Sequence, residues 1–130
     1  IVGAAVLIVL AYFSYTNFIL GPQEEKAQNA MFAAERYFSQ DSLKQALNGD
    51  GTYPGFEQIV QDYGSTKSGN LAQYYLGMTY LKKGDFEKAK QNFYNALQLG
   101  DTTIDLDTRV RIYFSLTDLY LLQNQKHTLQ

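Results

Sequence analysis

The sequence predicts an all-α chain: one N-terminal transmembrane helix over residues 1–21, then a short solenoid of helix–turn–helix units over 22–130. Three observations predict it. The first 20 residues carry no charge; Ala72, Leu76 and Tyr80, then Phe86, Ala89, Phe93, Ala96 and Leu97, make two apolar stripes at helical spacing on either side of Gly84-Asp85; and Tyr37 and Ala46 recur upstream with the spacing of Tyr80 and Ala89. Stripes with a period near 3.6 residues mark amphipathic helices, and neither can bury its apolar face alone.

The first element is "IVGAAVLIVLAYFSYTNFIL". At about 1.5 Å of rise per residue it reaches roughly 30 Å, the thickness of a bilayer core. Its eleven Ile, Leu, Val and Phe residues favour insertion, by about 0.3–0.6 kcal/mol each near the centre, and Ser14, Thr16 and Asn17 oppose it only near one end. A cleaved signal peptide and a buried soluble helix are the competing readings; signal cores run about 7–15 residues and end in a small-x-small site, which neither this length nor "FILGPQ" matches. Lipid is therefore the expected surrounding of residues 1–20.

Every charge lies after Gln23, so the formal net charge of −2 belongs wholly to the remainder. Its scattered lysines make no basic stripe, which argues against nucleic acid as a partner. "GPQEEK", with two acids and one base, leans toward export of the C-terminal part. The absence of cysteine gives no evidence about redox compartment.

Helices are expected near 23–47, 54–64, 68–83, 85–99 and 107–123. Pro22 suits a kink or a first helical turn, so the span is expected to run into the first soluble helix with little break. "DYGSTKSGN" punctuates the chain before the third of these helices, with Ser65 or Ser68 as its cap. Gly84 can end that helix in the left-handed conformation, and Asp85 can cap the next. Gly77 and Ala89 are small where helices approach closely. The units are then a degenerate one at 23–64, one at 68–100 and a partial one at 107–130. Tyr37, Tyr80 and Tyr120 lie 43 and 40 residues apart, more than the usual period of about 34 for two-helix repeats. "NGDGTYPG" and "LGDTTIDLD" are the expected insertions. The third unit looks cut short, and the chain is expected to be a fragment at both ends.

In "YYLGMTYLKKGDFEKAKQNFYNAL", Leu76-Gly77, Tyr80, Gly84, Ala89, Phe93 and Ala96 fall in the order L-G-x-x-Y, turn Gly, A-x-x-x-F-x-x-A. This resembles the tetratricopeptide repeat (TPR), with two departures: Gln73 stands where a Trp is usual and Asp101 where a Pro often closes the unit. The resemblance implies stacked helix pairs whose first helices line a concave, partner-binding face. Tyr74, Met78 and Leu81 in the second unit, and Arg111, Phe114 and Asp118 in the third, lie off the packing stripes and are the candidate contacts.

Chemistry other than recognition finds little support. "NGDG" at 48–51 lacks the sixth-position Gly and twelfth-position Glu of a calcium loop and reads as a turn. Asp101, Asp105 and Asp107 precede a helix, where acids cap free N–H groups and favour the positive dipole end. His127 is the one histidine and has no nucleophile near it in sequence. No cofactor, metal or catalytic activity is expected. An N-terminal span joined to TPR units with an acidic exported side resembles the ancillary subunit of the bacterial SecYEG translocon, and "ALNGDGTYPGFEQIVQDYGSTKSGNLAQYYLG" is similar to single-pass repeat proteins of Bacteroidota bacteria. That resemblance implies an inner-membrane protein facing the periplasm, partnered by a translocon or periplasmic chaperones. The alternative is a structural accessory subunit of another large membrane complex.

Overall fold

The computed structural model describes residues 1–98 and 104–129, and every regular element among them is helical. Helix α1 (Val2–Tyr15), a π turn (Thr16–Leu20) and α2 (Gly21–Ser39) follow one another without interruption. Together they make a single helix of 38 residues, roughly 57 Å long at about 1.5 Å per residue. Among the described residues it is the one helix long and apolar enough to cross a membrane. No side chain of α1 or of the π turn is buried.

The expected passage through Pro22 has a physical cause in the π turn. Proline has no N–H to give the carbonyl four residues back, and its ring crowds that carbonyl. Widening the preceding turn relieves this, and the Gly21 N–H reaches back five residues to the Thr16 carbonyl. The hydroxyl of Thr16 and the amide of Asn17 both donate to the Phe13 carbonyl, at 3.0 and 2.9 Å. Two polar groups that oppose insertion are thus satisfied inside the helix itself.

Further along, α2 enters the globule and buries Ala27, Met31 and Ala34. It stops at Ser39, so the helix expected over 23–47 is in fact two. Asp41 takes φ 56°, a left-handed conformation that Asp tolerates better than most residues, and α3 (Leu43–Asn48) folds back from there. Lys82 holds the corner: its Nζ lies 2.8 Å from the Asp41 carboxylate and 4.5 Å from the centre of the Phe38 ring. In the "NGDG" turn, Asp50 accepts the N–H groups of Thr52 and Tyr53 at 2.9 and 2.7 Å and the Tyr37 hydroxyl at 2.7 Å.

Helix α4 (Phe56–Tyr63) and α5 (Lys67–Lys83) follow. The α5 cap is Thr66 and not the expected Ser65 or Ser68: its hydroxyl accepts the Gly69 N–H at 2.9 Å, while Ser65 is exposed. Ser68 has another engagement, giving both its N–H and its hydroxyl to the Glu24 carboxylate. This contact ties the start of α5 to the first turns of α2. Gly84 ends α5 at φ 84°, left-handed as expected, and the Asp85 carboxylate accepts the Lys88 N–H at 3.3 Å to start α6 (Phe86–Gln98).

The core is built from α2 to α6 and the last helix, with no contribution from α1. Phe56, Ile59, Phe93 and Ile112 are fully buried. The Phe56 and Tyr75 rings stack at 5.3 Å, and Phe38 meets both edge-on. Between α5 and α6 the fit is closest at Gly77, where a Cβ would come within 2.7 Å of the Phe93 ring. Buried Asn70 donates to the Ala96 carbonyl at 3.0 Å, and Gln73, at the usual Trp position, donates to Asn92 across the hairpin. Two stripe residues differ from expectation: Phe86 is exposed, and Tyr120 is exposed where Tyr80 is buried. The last helix, α7, runs Leu106–Thr128 and so extends past the expected end at 123. Gly100, Asp101 and most of the expected insertion at 99–107 lie outside the described residues.

Candidate interaction surface

The six candidate contacts divide into a seam and an open face. Tyr74, Met78 and Leu81 on α5 are half-buried against the core. The Tyr74 ring packs on Tyr75 and Phe93 at 5.4 and 6.1 Å; burial raises its hydroxyl pKa, and the nearby Arg111 charge works against that rise. One turn on, Ser115 of α7 offers its hydroxyl to the Met78 sulfur at 3.9 Å. These side chains reach α7 from α5, while α7 packs mainly against α6. Sequence periodicity places them correctly off the Leu76/Tyr80 stripe, but it does not reveal that α7 occupies the space they face.

Arg111, Phe114 and Asp118 are exposed on α7. Arg111 pairs with Asp107 at 2.7 Å; that hydrogen bond and the carboxylate charge raise its pKa further. The Asp105 carboxylate caps the helix by accepting the Thr108 N–H at 2.7 Å, and with the Thr108 hydroxyl it is held below the usual carboxylate range. This is the expected helix-start role for Asp105.

Helix α7 buries Thr108, Ile112 and Leu119 on one side. On the opposite side Leu106, Val110, Tyr113, Phe114, Tyr120 and Leu121 are exposed. An ordinary surface helix carries charge opposite its buried stripe; this one carries a second apolar stripe. Of its members, only Phe114 is among the six candidates. The signal was present in the sequence as intervals of four and three residues through Leu106, Val110, Tyr113, Thr117, Tyr120 and Asn124, the spacing of a helix–helix seam.

A groove of about 520 Å³ lies beside the C-terminal half of α7, between Asp85, Phe86 and Lys90 and the residues Leu122, Lys126 and His127. Phe86 and His127 both line it.

Shifted ionisations elsewhere have structural causes. The Tyr37 hydroxyl, followed by the backbone N–H groups of Tyr53 and Thr52, lowers Asp50 to about 2. Burial raises Glu35. For Glu24, burial pushes upward, but the Ser68 hydroxyl and N–H outweigh it and hold the carboxyl below its ordinary value. Burial, then the hydrogen bond donated to Glu57, raises Tyr80. The described residues hold no cluster of three or more His, Cys, Asp or Glu able to bind a metal ion. No family model, curated protein or solved structure matches the chain.

Proposed function

We propose that this chain is a membrane-anchored TPR-type interaction module, an accessory factor of the Sec translocon or of the periplasmic chaperone network. In this reading it sits in the bacterial inner membrane with the repeat domain in the periplasm. One observation carries the repeat assignment. In the α5–α6 hairpin, Leu76, Gly77, Tyr80, Ala89, Phe93 and Ala96 are all buried and Gly84 makes the left-handed turn, which supports reading this hairpin as one repeat unit. The membrane assignment is supported by the long apolar helix, which continues directly into the globule. Repeat units specify a scaffold and leave the partner to the surface residues; here those are Arg111, Phe114 and Asp118.

The competing role, a structural accessory subunit of another large membrane complex, draws on the full exposure of α1, which offers a contact surface as well as an anchor. Affinity purification from mildly solubilised native membranes, followed by mass spectrometry, separates the two. Enrichment of SecY, SecE or a periplasmic chaperone over a control membrane protein supports the translocon role. Recovery with a different complex, and no translocon component above background, overturns it.

A further inference from the structure

We infer that the globule stands upright on the bilayer crossed by α1, with the turn at 64–66 and the adjoining Lys67 seated among phospholipid headgroups. The partner of this surface is the membrane itself. The inference rests on reading α1 as a membrane span and owes nothing to the translocon assignment.

Height is the first argument. The first charge in the chain is Glu24, roughly 6 Å along the helix from Leu20 at about 1.5 Å per residue. The polar layer of a bilayer is about 5–7 Å deep on each side of the hydrocarbon core. Glu24 therefore lies near the outer limit of that layer when the apolar run fills the core. Both of its carboxylate oxygens accept the Ser68 N–H at 3.2 Å, and Ser68 adds its hydroxyl. The start of α5 is thereby held at the height of Glu24.

Direction is the second argument. Helix α5 runs the same way as α2, since Ser68 meets Glu24 at one end and Lys82 meets Asp41 at the other. Helix α4 runs the opposite way: Glu57 at its start accepts the Tyr80 hydroxyl, and the Tyr63 carbonyl at its end lies against Gly69, with no room for a Cβ between them. The span and α2 form one uninterrupted helix. Helix α5 thus climbs away from the bilayer and α4 descends toward it, which makes the turn between them the lowest point of the pair. That turn is locked in place, because the Thr66 hydroxyl donates to the Tyr63 carbonyl at 2.7 Å and accepts the Gly69 N–H at 2.9 Å.

Charge is the third argument. Lys67 and, on α2, Lys26 are exposed, and neither ammonium has an ion pair among the described residues. Of the acids in the first turns of α2 and the last turn of α4, Glu24 is engaged by Ser68 and Asp62 by the Gln58 amide at 2.9 Å, which leaves Glu25. Two unpaired cations against one such acid suit a layer of phosphates, toward which lysines at a membrane surface extend their charged ends.

The chain has no cysteine and no tryptophan, so one introduced thiol carries one fluorophore. Full chains bearing Val9→Cys, Ser65→Cys or Lys83→Cys are labelled with bimane and reconstituted into vesicles of phosphatidylethanolamine and phosphatidylglycerol. A tracer lipid carries a nitroxide either on its headgroup or midway along an acyl chain. The acyl nitroxide is expected to quench the Val9→Cys label. The headgroup nitroxide should quench the Ser65→Cys label about twofold or more over Lys83→Cys, which marks the far end of α5, roughly 24 Å higher at about 1.5 Å per residue. Seven helix-forming residues inserted between Gln23 and Glu24 add two turns, lift the globule by about 10 Å at nearly the same bearing, and should bring the Ser65→Cys signal down to that of Lys83→Cys. Far-UV circular dichroism checks that each chain is folded. Headgroup quenching that is equal at Ser65→Cys and Lys83→Cys, or stronger at Lys83→Cys, overturns the inference while acyl quenching at Val9→Cys leaves the span standing. A folded insertion variant with an unchanged Ser65→Cys signal overturns it too, since the rod then does not set the height of the turn. Absence of acyl quenching at Val9→Cys overturns the span and the inference together.

Discussion

Substitution of Gly77 by alanine is the sharpest test of how α5 and α6 pack. The added Cβ would lie 2.7 Å from two carbons of the Phe93 ring and 3.2 Å from a third. The ring cannot step aside cheaply, because Phe93 is fully buried and Tyr74 packs against it at 6.1 Å. Overpacking of this kind costs about 1–3 kcal/mol. Alanine returns about 0.5–1 kcal/mol as a better helix former than glycine. The expected net effect is a loss of about 1 kcal/mol, the difference between the midpoints of those two ranges. Urea unfolding of the full chain in detergent, followed by tyrosine fluorescence, measures it as a lowered midpoint at unchanged slope. Because the clash is with one ring, Gly77→Ala combined with Phe93→Leu should be less destabilised than the sum of the two single changes. A Gly77→Ala protein as stable as the parent, or strict additivity in the double variant, would refute the close-approach role of Gly77.

Three further outcomes follow from the same contacts. Thr66→Ala, which removes the α5 cap, should cost about 0.5–2 kcal/mol in the same titration, with Thr66→Ser restoring most of it. Glu35 has its carboxyl pKa raised by burial from a reference of 4.5, so its ionisation opposes folding; the favourable contribution of its neutral form is present at acid pH and lost as pH rises through the folded value. Glu35→Gln should therefore raise the midpoint at neutral pH relative to the parent, with the gain vanishing in acid. Glu24 has the opposite sign: its folded pKa lies below 4.5, so its tie to Ser68 stabilises above that value and fades as pH falls through the folded one. Glu24→Gln should lower the midpoint at neutral pH and match the parent in strong acid.

Hairpin α5–α6 was legible apart from the exposure of Phe86 and the choice of Thr66 as cap, because its information is local. A left-handed glycine, an apolar stripe on each side and one small residue at the crossing leave little freedom in the chain between Ala72 and Ala96. The 23–47 segment was not legible, since nothing in "SQDSLKQ" is a strong breaker. Its corner is set by contacts distant in sequence, among them the pairing of Asp41 with Lys82, 41 residues away. Thr66 lost out to its serine neighbours in the cap prediction for a similar reason: Ser68 is drawn to Glu24, a contact 44 residues distant in sequence. Among the site residues, periodicity separated Tyr74 and Met78 from the packing stripe of α5. It could not say which helix they would meet, because the meeting is set by Arg111 and Ser115 of α7. The stripe through Val110 and Tyr120 was written in the sequence but was hidden by Ile112 and Leu119, whose second apolar series makes α7 read as uniformly mixed.

The uninterrupted passage from α1 through the π turn into α2 makes the two ends of this helix a torsionally coupled rod. Each residue of helix advances the azimuth by about 100°, and a π turn is in effect an α-helix with one residue inserted. The five residues Thr16–Leu20 thus pass the compass bearing of the anchor on to the globule. Loss of a single residue there would turn the bulge into plain α-helix and leave that bearing nearly unchanged, whereas loss of one residue from the α-helical turns on either side would swing one half against the other by about 100°.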